Sequence, residues 1–391
     1  MSDLFADHIP FLRPWLGEEE ARAAAQVILS GWVSQGPRGI DFEDAVAGYV
    51  GARFGVATNA CTSALHLSLL LSGVGPGDEV IVPSSTCMAT TNAVHHAGGR
   101  PVFAEIDART YNLDPLAAAE AITPRTRALL VVDQIGLAAD MDAFSRLAGE
   151  RGLKLVEDGA CSLGATYKGR RVGGLGSPTC FSFHPRKTIT AGEGGMITTD
   201  DERLADKARI LRATGASISD LVRHKARGAL VQQYYDVGYN YRMTDIQAAV
   251  GLVQFGKIQA ILEKRARQAR RYDEALAAWD EVVPPYVPEY ATHAYTSYLI
   301  RLREGCGVSR DDLLRHMAEH GVSCRIGIQP LHHEPYYLES CRGLRLPITE
   351  EAARSTLFLP IFPGLTEAQQ DRVIRVLEEG LTSCRTQAPQ A

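Results

Sequence analysis

The chain has 391 residues, 45% of them hydrophobic and 22% charged, with a net charge of −5. That length is enough for two domains and a substantial core, and the composition is that of a soluble globular enzyme. The acidic balance gives no reason to expect nucleic acid, apolar runs such as 69–71 are too short to enter a membrane as spans, and residues 1–7 lack the basic start and apolar core of a secretory signal.

Hydrophobic periodicity predicts a helix over 17–30, a loop over 31–36 and a second helix over 40–50. A short strand over 55–58 leads into 59–63, a turn opening a helix that runs to Leu71. Strand 80–82 and helix 88–97 follow, then strands 101–107 and 128–133, helix 140–151 and strand 153–157. This alternation predicts a largely parallel sheet covered on both faces, with ligands bound beyond the carboxyl ends of its strands. From about 246 the pattern changes. An amphipathic run over 246–263 is continued over 264–279, followed by a strand over 298–302, a helix over 310–320 and a terminal helix over 366–381. The tail after Thr382 is expected to be disordered. Residues 1–250 are assigned to a large cofactor-binding domain and 251–391 to a smaller C-terminal α+β domain.

The chemistry lies between these parts. Asp158 closes the strand over 153–157, and Lys187 ends the run Ser182-Phe-His-Pro-Arg-Lys187, with Gly192-Glu-Gly-Gly195 close behind. Singly, these are a helix-capping aspartate and a loop lysine. In this order they match the needs of pyridoxal 5'-phosphate (PLP). The lysine amine forms a Schiff base with the cofactor aldehyde, and the carboxylate keeps the pyridine nitrogen protonated. The glycines let backbone pass close to a bulky ligand.

The chain resembles the DegT/DnrJ/EryC1/StrS family of PLP-dependent sugar aminotransferases over roughly residues 10–380. The resemblance rests on Gly75-Pro-Gly-Asp-Glu-Val-Ile-Val-Pro83, Ala139-Asp-Met-Asp142, Glu157-Asp158, the Lys187 and Gly192 segments, and Gly238-Tyr-Asn-Tyr-Arg-Met-Thr-Asp-Ile-Gln-Ala-Ala249. It implies an α/β fold of the PLP-dependent transferase fold type I, aspartate-aminotransferase-like, with a mostly parallel seven-stranded sheet. It also implies roles. Lys187 holds the cofactor and moves the substrate proton. Asp158 pairs with the pyridinium nitrogen. Thr62, Ser63 and Ser182 contact the phosphate, and Asn240 reaches the phosphate of a neighbouring subunit, which implies a homodimer with composite sites. Tyr241 and Arg242 shape the substrate entrance, although Arg242 also reads as a partner of Asp245. His332 and His333 lie on a loop that approaches the substrate, against a plain structural reading of both.

Three cofactor-facing positions depart from the family. Cys87 stands where an aromatic ring normally stacks on the pyridine, Cys161 where Gln or His approaches the ring oxygen, and Cys61 where glycine precedes the phosphate threonine. The eight cysteines show no CxxC pair and no zinc spacing, so no metal site is expected and reduced thiols in a cytoplasmic protein are. The expected reaction takes an amino group from an amino acid such as L-glutamate, through pyridoxamine 5'-phosphate (PMP), to a ketone on a nucleotide-linked keto-deoxy sugar. A cyclitol ketone or other small keto acceptor, a lyase or dehydratase on the same fold, and a non-catalytic regulator are the alternatives.

Overall fold

The computed structural model describes residues 8–216, 232–234 and 236–385. Helices α1 (Glu18–Ser30) and α2 (Pro37–Val50) come first. Pro37 occupies the first turn of α2, where its missing N–H costs no hydrogen bond, so this helix starts three residues ahead of the expected 40. Gly51, at φ 82°, ends it in the left-handed conformation.

A seven-stranded sheet follows. It comprises β1 (Phe54–Thr58), β2 (Glu79–Pro83), β3 (Arg100–Ala104), β4 (Thr126–Val132), β5 (Lys154–Asp158), β8 (Thr179–Ser182) and β9 (Gly195–Thr199), in the spatial order β1-β9-β8-β5-β4-β2-β3. The pairs β3–β2, β2–β4, β4–β5 and β5–β8 are parallel. Only β9 runs against its neighbours, pairing antiparallel with both β8 and β1. Between β5 and β8 lie two short strands, β6 (Thr166–Tyr167) and β7 (Arg170–Arg171), which form a small antiparallel sheet with β11 (Ala291–Thr292).

The strands are apolar on both faces, as buried parallel strands require. Ile81, Leu129, Val131, Phe181 and Met196 enter one core with α2 residues Phe42 and Val46. Their neighbours Val80, Val82, Leu130, Cys180 and Ile197 enter the opposite core. The second core is closed by α3 (Cys61–Leu71), α4 (Met88–His96) and α7 (Glu202–Leu211). Helix α5 (Pro115–Glu120) is short; α6 (Met141–Arg151) is N-capped by Asp140 and ended by Gly152 at φ 66°.

The amphipathic run expected as one stretch over 246–279 is two helices, α8 (Asp245–Gly256) and α9 (Ile258–Leu276). A Thr244–Gln247 capping box starts α8. The break falls at Lys257, whose ammonium lies 2.7 Å from Glu20 and 2.8 Å from Glu19, tethering the junction to α1. A second sheet, wholly antiparallel, has the order β10 (Val282–Val283), β12 (Tyr298–Leu302), β14 (Thr356–Leu359), β13 (Arg325–Ile326). It packs with α9, α10 (Arg310–Glu319) and the terminal helix α12 (Glu367–Arg385), while α11 (Pro347–Ser355) leads into β14. Ile9 lies in this core and bridges Val322, so the N-terminal segment packs with the C-terminal sheet. The helix α12 continues through Ser383 to Arg385, so that part of the expected disordered tail is helical; residues 386–391 lie outside the described residues.

Candidate active site

The carboxyl ends of β1, β5 and β8 lie along one edge of the main sheet, and the antiparallel β9 starts at that same edge. Gly195, its first residue, pairs with Thr58 on one side and Ser182 on the other. A Cβ on Gly195 would stand 2.5 Å from the Ala60 carbonyl and 2.6 Å from the Cys61 nitrogen. Only glycine lets β9 carry the first turn of α3 this closely. Cys61, Thr62 and Ser63 are the first three residues of that helix. Ala60, at the N-cap, has no side chain to cap their amides, and Ser63 turns its hydroxyl to Asn59 Oδ1 at 2.7 Å. An uncapped helix start favours an anion through its free N–H groups and dipole. Buried Ser182, next to Gly195 in register, borders the same turn.

Asp158 ends β5 and is 3% exposed. Its Oδ2 accepts from Thr90 Oγ1 at 2.8 Å and its Oδ1 from the Ala160 amide at 3.1 Å. Burial raises its pKa, against those two hydrogen bonds and the charge of Lys187. Lys187 is half-buried, and its Nζ lies 3.2 Å from Cys161 Sγ. Burial disfavours the ammonium, but the Cys161 sulfur and Asp158 outweigh it and raise the lysine pKa.

A cavity of about 580 Å³ opens over Lys187, between the main sheet and β13 of the second sheet. Cys87, at the N-cap of α4, and Cys161 both line it. Cys61 Sγ instead faces the Cys180 carbonyl at 3.7 Å, and burial raises its pKa well above the ordinary thiol value. All three departures from the family pattern are thus small side chains next to Lys187, Asp158 or the α3 start.

The remaining predicted residues lie elsewhere. Tyr241 stacks on Tyr239 at 4.9 Å, and its hydroxyl lies 3.1 Å from His66 Nδ1, on the flank of α3 rather than in the cavity wall. Its backbone carbonyl accepts from Asn59 at 2.8 Å, so it braces the α3 turn from behind. Arg242 donates to Asn240 Oδ1 at 3.0 Å, whereas Asp245 accepts from the amides of Gly36, Arg38 and Gly39. Asn240 is exposed and its carbonyl lies 3.5 Å from Asn59 Nδ2. His332 is buried against Ser84, Nδ1 to Oγ 2.7 Å, and His333 is exposed beside it. The side chains of these two histidines and Tyr241 are thus engaged outside the lining of the cavity over Lys187.

Sequence reasoning missed one supporting residue, Thr90, and read Gly195 as making room for a ligand, where the close neighbour is the α3 backbone. The signal was present for Thr90: a hydroxyl in the first turn of a helix that starts beyond a strand end. For Gly195 the signal was the glycine run itself, whose partner could not be named without the register.

A sequence profile for the DegT/DnrJ/EryC1/StrS aminotransferase family matches residues 14–378. The chain belongs to this family. The spore coat polysaccharide biosynthesis protein SpsC of Bacillus subtilis is 36% identical, over 95% of this chain and 96% of its own. Among solved structures, the aminotransferase TlmJ of Streptoalloteichus hindustanus is 34% identical, with a TM-score of 0.88 over 96% of this chain and 99% of its own. The aminotransferase Spr1654 of Streptococcus pneumoniae, solved in PMP and PLP forms, is 28% identical; its PMP form has a TM-score of 0.90 over 96% of this chain and 100% of its own. This protein is therefore an enzyme, a PLP-dependent aminotransferase of fold type I.

The site of this DegT/DnrJ/EryC1/StrS aminotransferase fits the cofactor. A buried carboxylate, a half-buried amine and an uncapped helix start lie at one edge of the sheet. No helix among the described residues is long and apolar enough to cross a membrane.

Proposed function

We propose that the aminotransferase transfers an amino group from L-glutamate to the ketone of a nucleotide-linked keto-deoxy sugar. When bound, PLP supplies the electron sink that makes the substrate α-proton labile. Lys187 is the residue that holds the cofactor and carries the proton at its Nζ. Asp158 keeps the cofactor ring nitrogen protonated by its negative charge, and Thr90 and Ala160 hold that carboxylate in place. The α3 start with Thr62 and Ser63, together with Ser182, anchors the phosphate. Cys87 and Cys161, lining the cavity with Lys187, would stand beside the bound ring as small side chains and leave more room there.

The observation that carries the reading is the placement of Lys187 Nζ in the cavity next to Cys161, with buried Asp158 at the end of β5, the parallel neighbour of the β8 strand that leads to Lys187. The acceptor class is supported by the cavity lining. Exposed Arg186 and Arg325 stand at it, with Ser85, Gln134 and Gln329 as neutral donors. Two guanidinium groups suit the diphosphate of a nucleotide-linked sugar, and the neutral donors suit hydroxyls. The polysaccharide pathway named for SpsC supports a sugar.

We further propose a homodimer, working in the cytoplasm, in which Asn240 reaches a partner's cofactor phosphate. The exposed position of Asn240, next to the α3 turn of its own chain, supports this reading.

A half-reaction screen tests the function. The enzyme is loaded as PMP, then offered nucleotide-linked keto-sugars, free keto-sugars and keto-cyclitols, and return of the PLP absorbance is followed. Return only with nucleotide-linked sugars is the expected result. Return with free cyclitols alone would replace the sugar acceptor, and failure of glutamate to convert PLP to PMP would replace the donor.

A further inference from the structure

The segment after Pro330 brings His332 and His333 against Glu350, in the first turns of α11. Their donor atoms all lie within 4.8 Å of one another. His332 Nε2 is 3.5 Å from Glu350 Oε1, and His333 Nε2 is 3.8 Å from the same oxygen. Donors held at about 2.1 Å around one tetrahedral ion stand about 3.4 Å apart. Both separations are close to that distance. A rotation of the exposed His333 ring completes the set.

His332 is 2% exposed. Its Nδ1 is held by Ser84 Oγ at 2.7 Å, and its backbone amide donates to the same oxygen at 3.1 Å. This fixes the ring and aims Nε2 at Glu350. Among the described residues that Nε2 has no hydrogen-bond partner. A buried polar nitrogen left unpaired costs about 1–3 kcal/mol, so its partner is worth identifying. The neutral imidazole is the form that ligates metals.

We propose that His332, His333 and Glu350 form a site for a divalent transition-metal ion of the Zn²⁺ class. Two imidazoles and one carboxylate select such an ion over Mg²⁺ or Ca²⁺, which take oxygen ligands. Ser84 orients the buried ligand from behind, as hydrogen-bond partners of metal-bound histidines do. Glu350 Oε1 also accepts from the Leu346 amide at 3.2 Å, which holds the carboxylate in place. Arg345 lies 3.8 Å from Glu350 Oε2, but its side chain is 81% exposed and free to swing into solvent.

The ion would clamp three parts together. The Leu331 amide donates to the Ser84 carbonyl at 2.9 Å, and Ser85, Thr86 and Cys87 directly after it line the cavity over Lys187. Metal would thus tie the 331–333 turn, α11 and the chain beyond β2 into one unit. Its role is to stiffen the cavity wall, not to take part in amino transfer.

The test uses the PLP-loaded full-length protein, stripped of metal by a chelating resin. Zn²⁺ is titrated by calorimetry and Co²⁺ by absorption. The expected result is one ion per chain, with a Co²⁺ ligand-field band and no sulfur-to-cobalt charge transfer, which separates this site from the cavity cysteines. His333→Ala and Glu350→Gln should each weaken binding at least tenfold, and Ser84→Ala by about tenfold, the usual effect of losing a supporting hydrogen bond. His333→Cys should keep the ion and add the sulfur band. His320→Ala, at an exposed histidine just past the end of α10, should change nothing. Absence of saturable binding tighter than about 100 μM, a sulfur band in the unmodified protein, or full binding in both His333→Ala and Glu350→Gln would each overturn the proposal.

Discussion

Thr90 Oγ1 donates to Asp158 Oδ2 at 2.8 Å, and both residues are buried. The first turn of α4 thus fixes one oxygen of the carboxylate that ends β5. Thr90→Val removes that donor with almost no change in shape. A hydrogen bond to a charged group contributes about 1.5–3 kcal/mol, so kcat should fall by roughly tenfold to a hundredfold. Steady-state kinetics with a circular-dichroism check of folding measures this. A wild-type rate would show that the hydroxyl does not serve Asp158.

Asp158→Asn removes the charge and keeps the packing. If Asp158 has the proposed role, the ring nitrogen loses the partner that keeps it protonated, and kcat should fall by about 10²–10³-fold, the scale of one lost electrostatic contact in a buried site. Near-normal turnover would leave Asp158 as a helix cap.

Lys187→Ala should abolish turnover and the borohydride-fixed cofactor link. Mass spectrometry of the reduced, digested wild-type protein should find the pyridoxyl group on Lys187. Its discovery on another lysine would remove Lys187 from the centre of the site.

Cys87 is exposed and lines the cavity, whereas burial raises the pKa of both Cys61 and Cys180. Alkylation follows thiolate content and access. Iodoacetamide should therefore modify Cys87 faster than Cys61 or Cys180, and faster without PLP than with it. Equal Cys87 rates with and without PLP would place the cofactor ring elsewhere.

Behind Asp158, Glu157 and Asp133 are fully buried and share their surroundings. Burial raises both, Asp133 to about 7, against the Ser162 hydroxyl and the Ala139 amide on Asp133 and the Thr179 hydroxyl on Glu157. The folded pair keeps a proton that the unfolded chain releases in the ordinary carboxylate range. Its stabilising contribution is complete below that range and is lost as pH rises through the raised folded value. The cofactor-free protein should therefore lose stability from this pair between the ordinary carboxylate range and about pH 7. Glu157→Gln, which can donate an amide proton to Asp133 at every pH, should flatten the slope. Urea midpoints at several pH values report it, and an unchanged slope in the variant would clear the pair of the effect.

Much of the site is written in local sequence. Lys187, Asp158 and the 59–63 turn were legible because each is a short run whose residue types carry their own chemistry. Helix starts and stops such as Asp140 and Gly152 were legible for the same reason, since a cap acts within one turn. The strands β8 and β9 were not, because four or five residues give too little period to read. Their pairing is what brings Gly195 between Thr58 and Ser182.

Tertiary contacts decided the rest. The break at Lys257 comes directly after Gly256, and Glu19 and Glu20, far away along the chain, hold it against α1. Tyr241 packs on Tyr239 and meets His66, contacts that no local pattern announces. His332 meets Ser84 across 248 residues and Glu350 across a loop, so neither its burial nor its open nitrogen has a sequence signature. The sequence alone determined the cofactor chemistry and the family, because a lysine, an aspartate and a glycine turn keep their roles wherever the chain places them. Which side chains share one wall depends on strand register and helix packing, and those are set by long-range burial that no local pattern records.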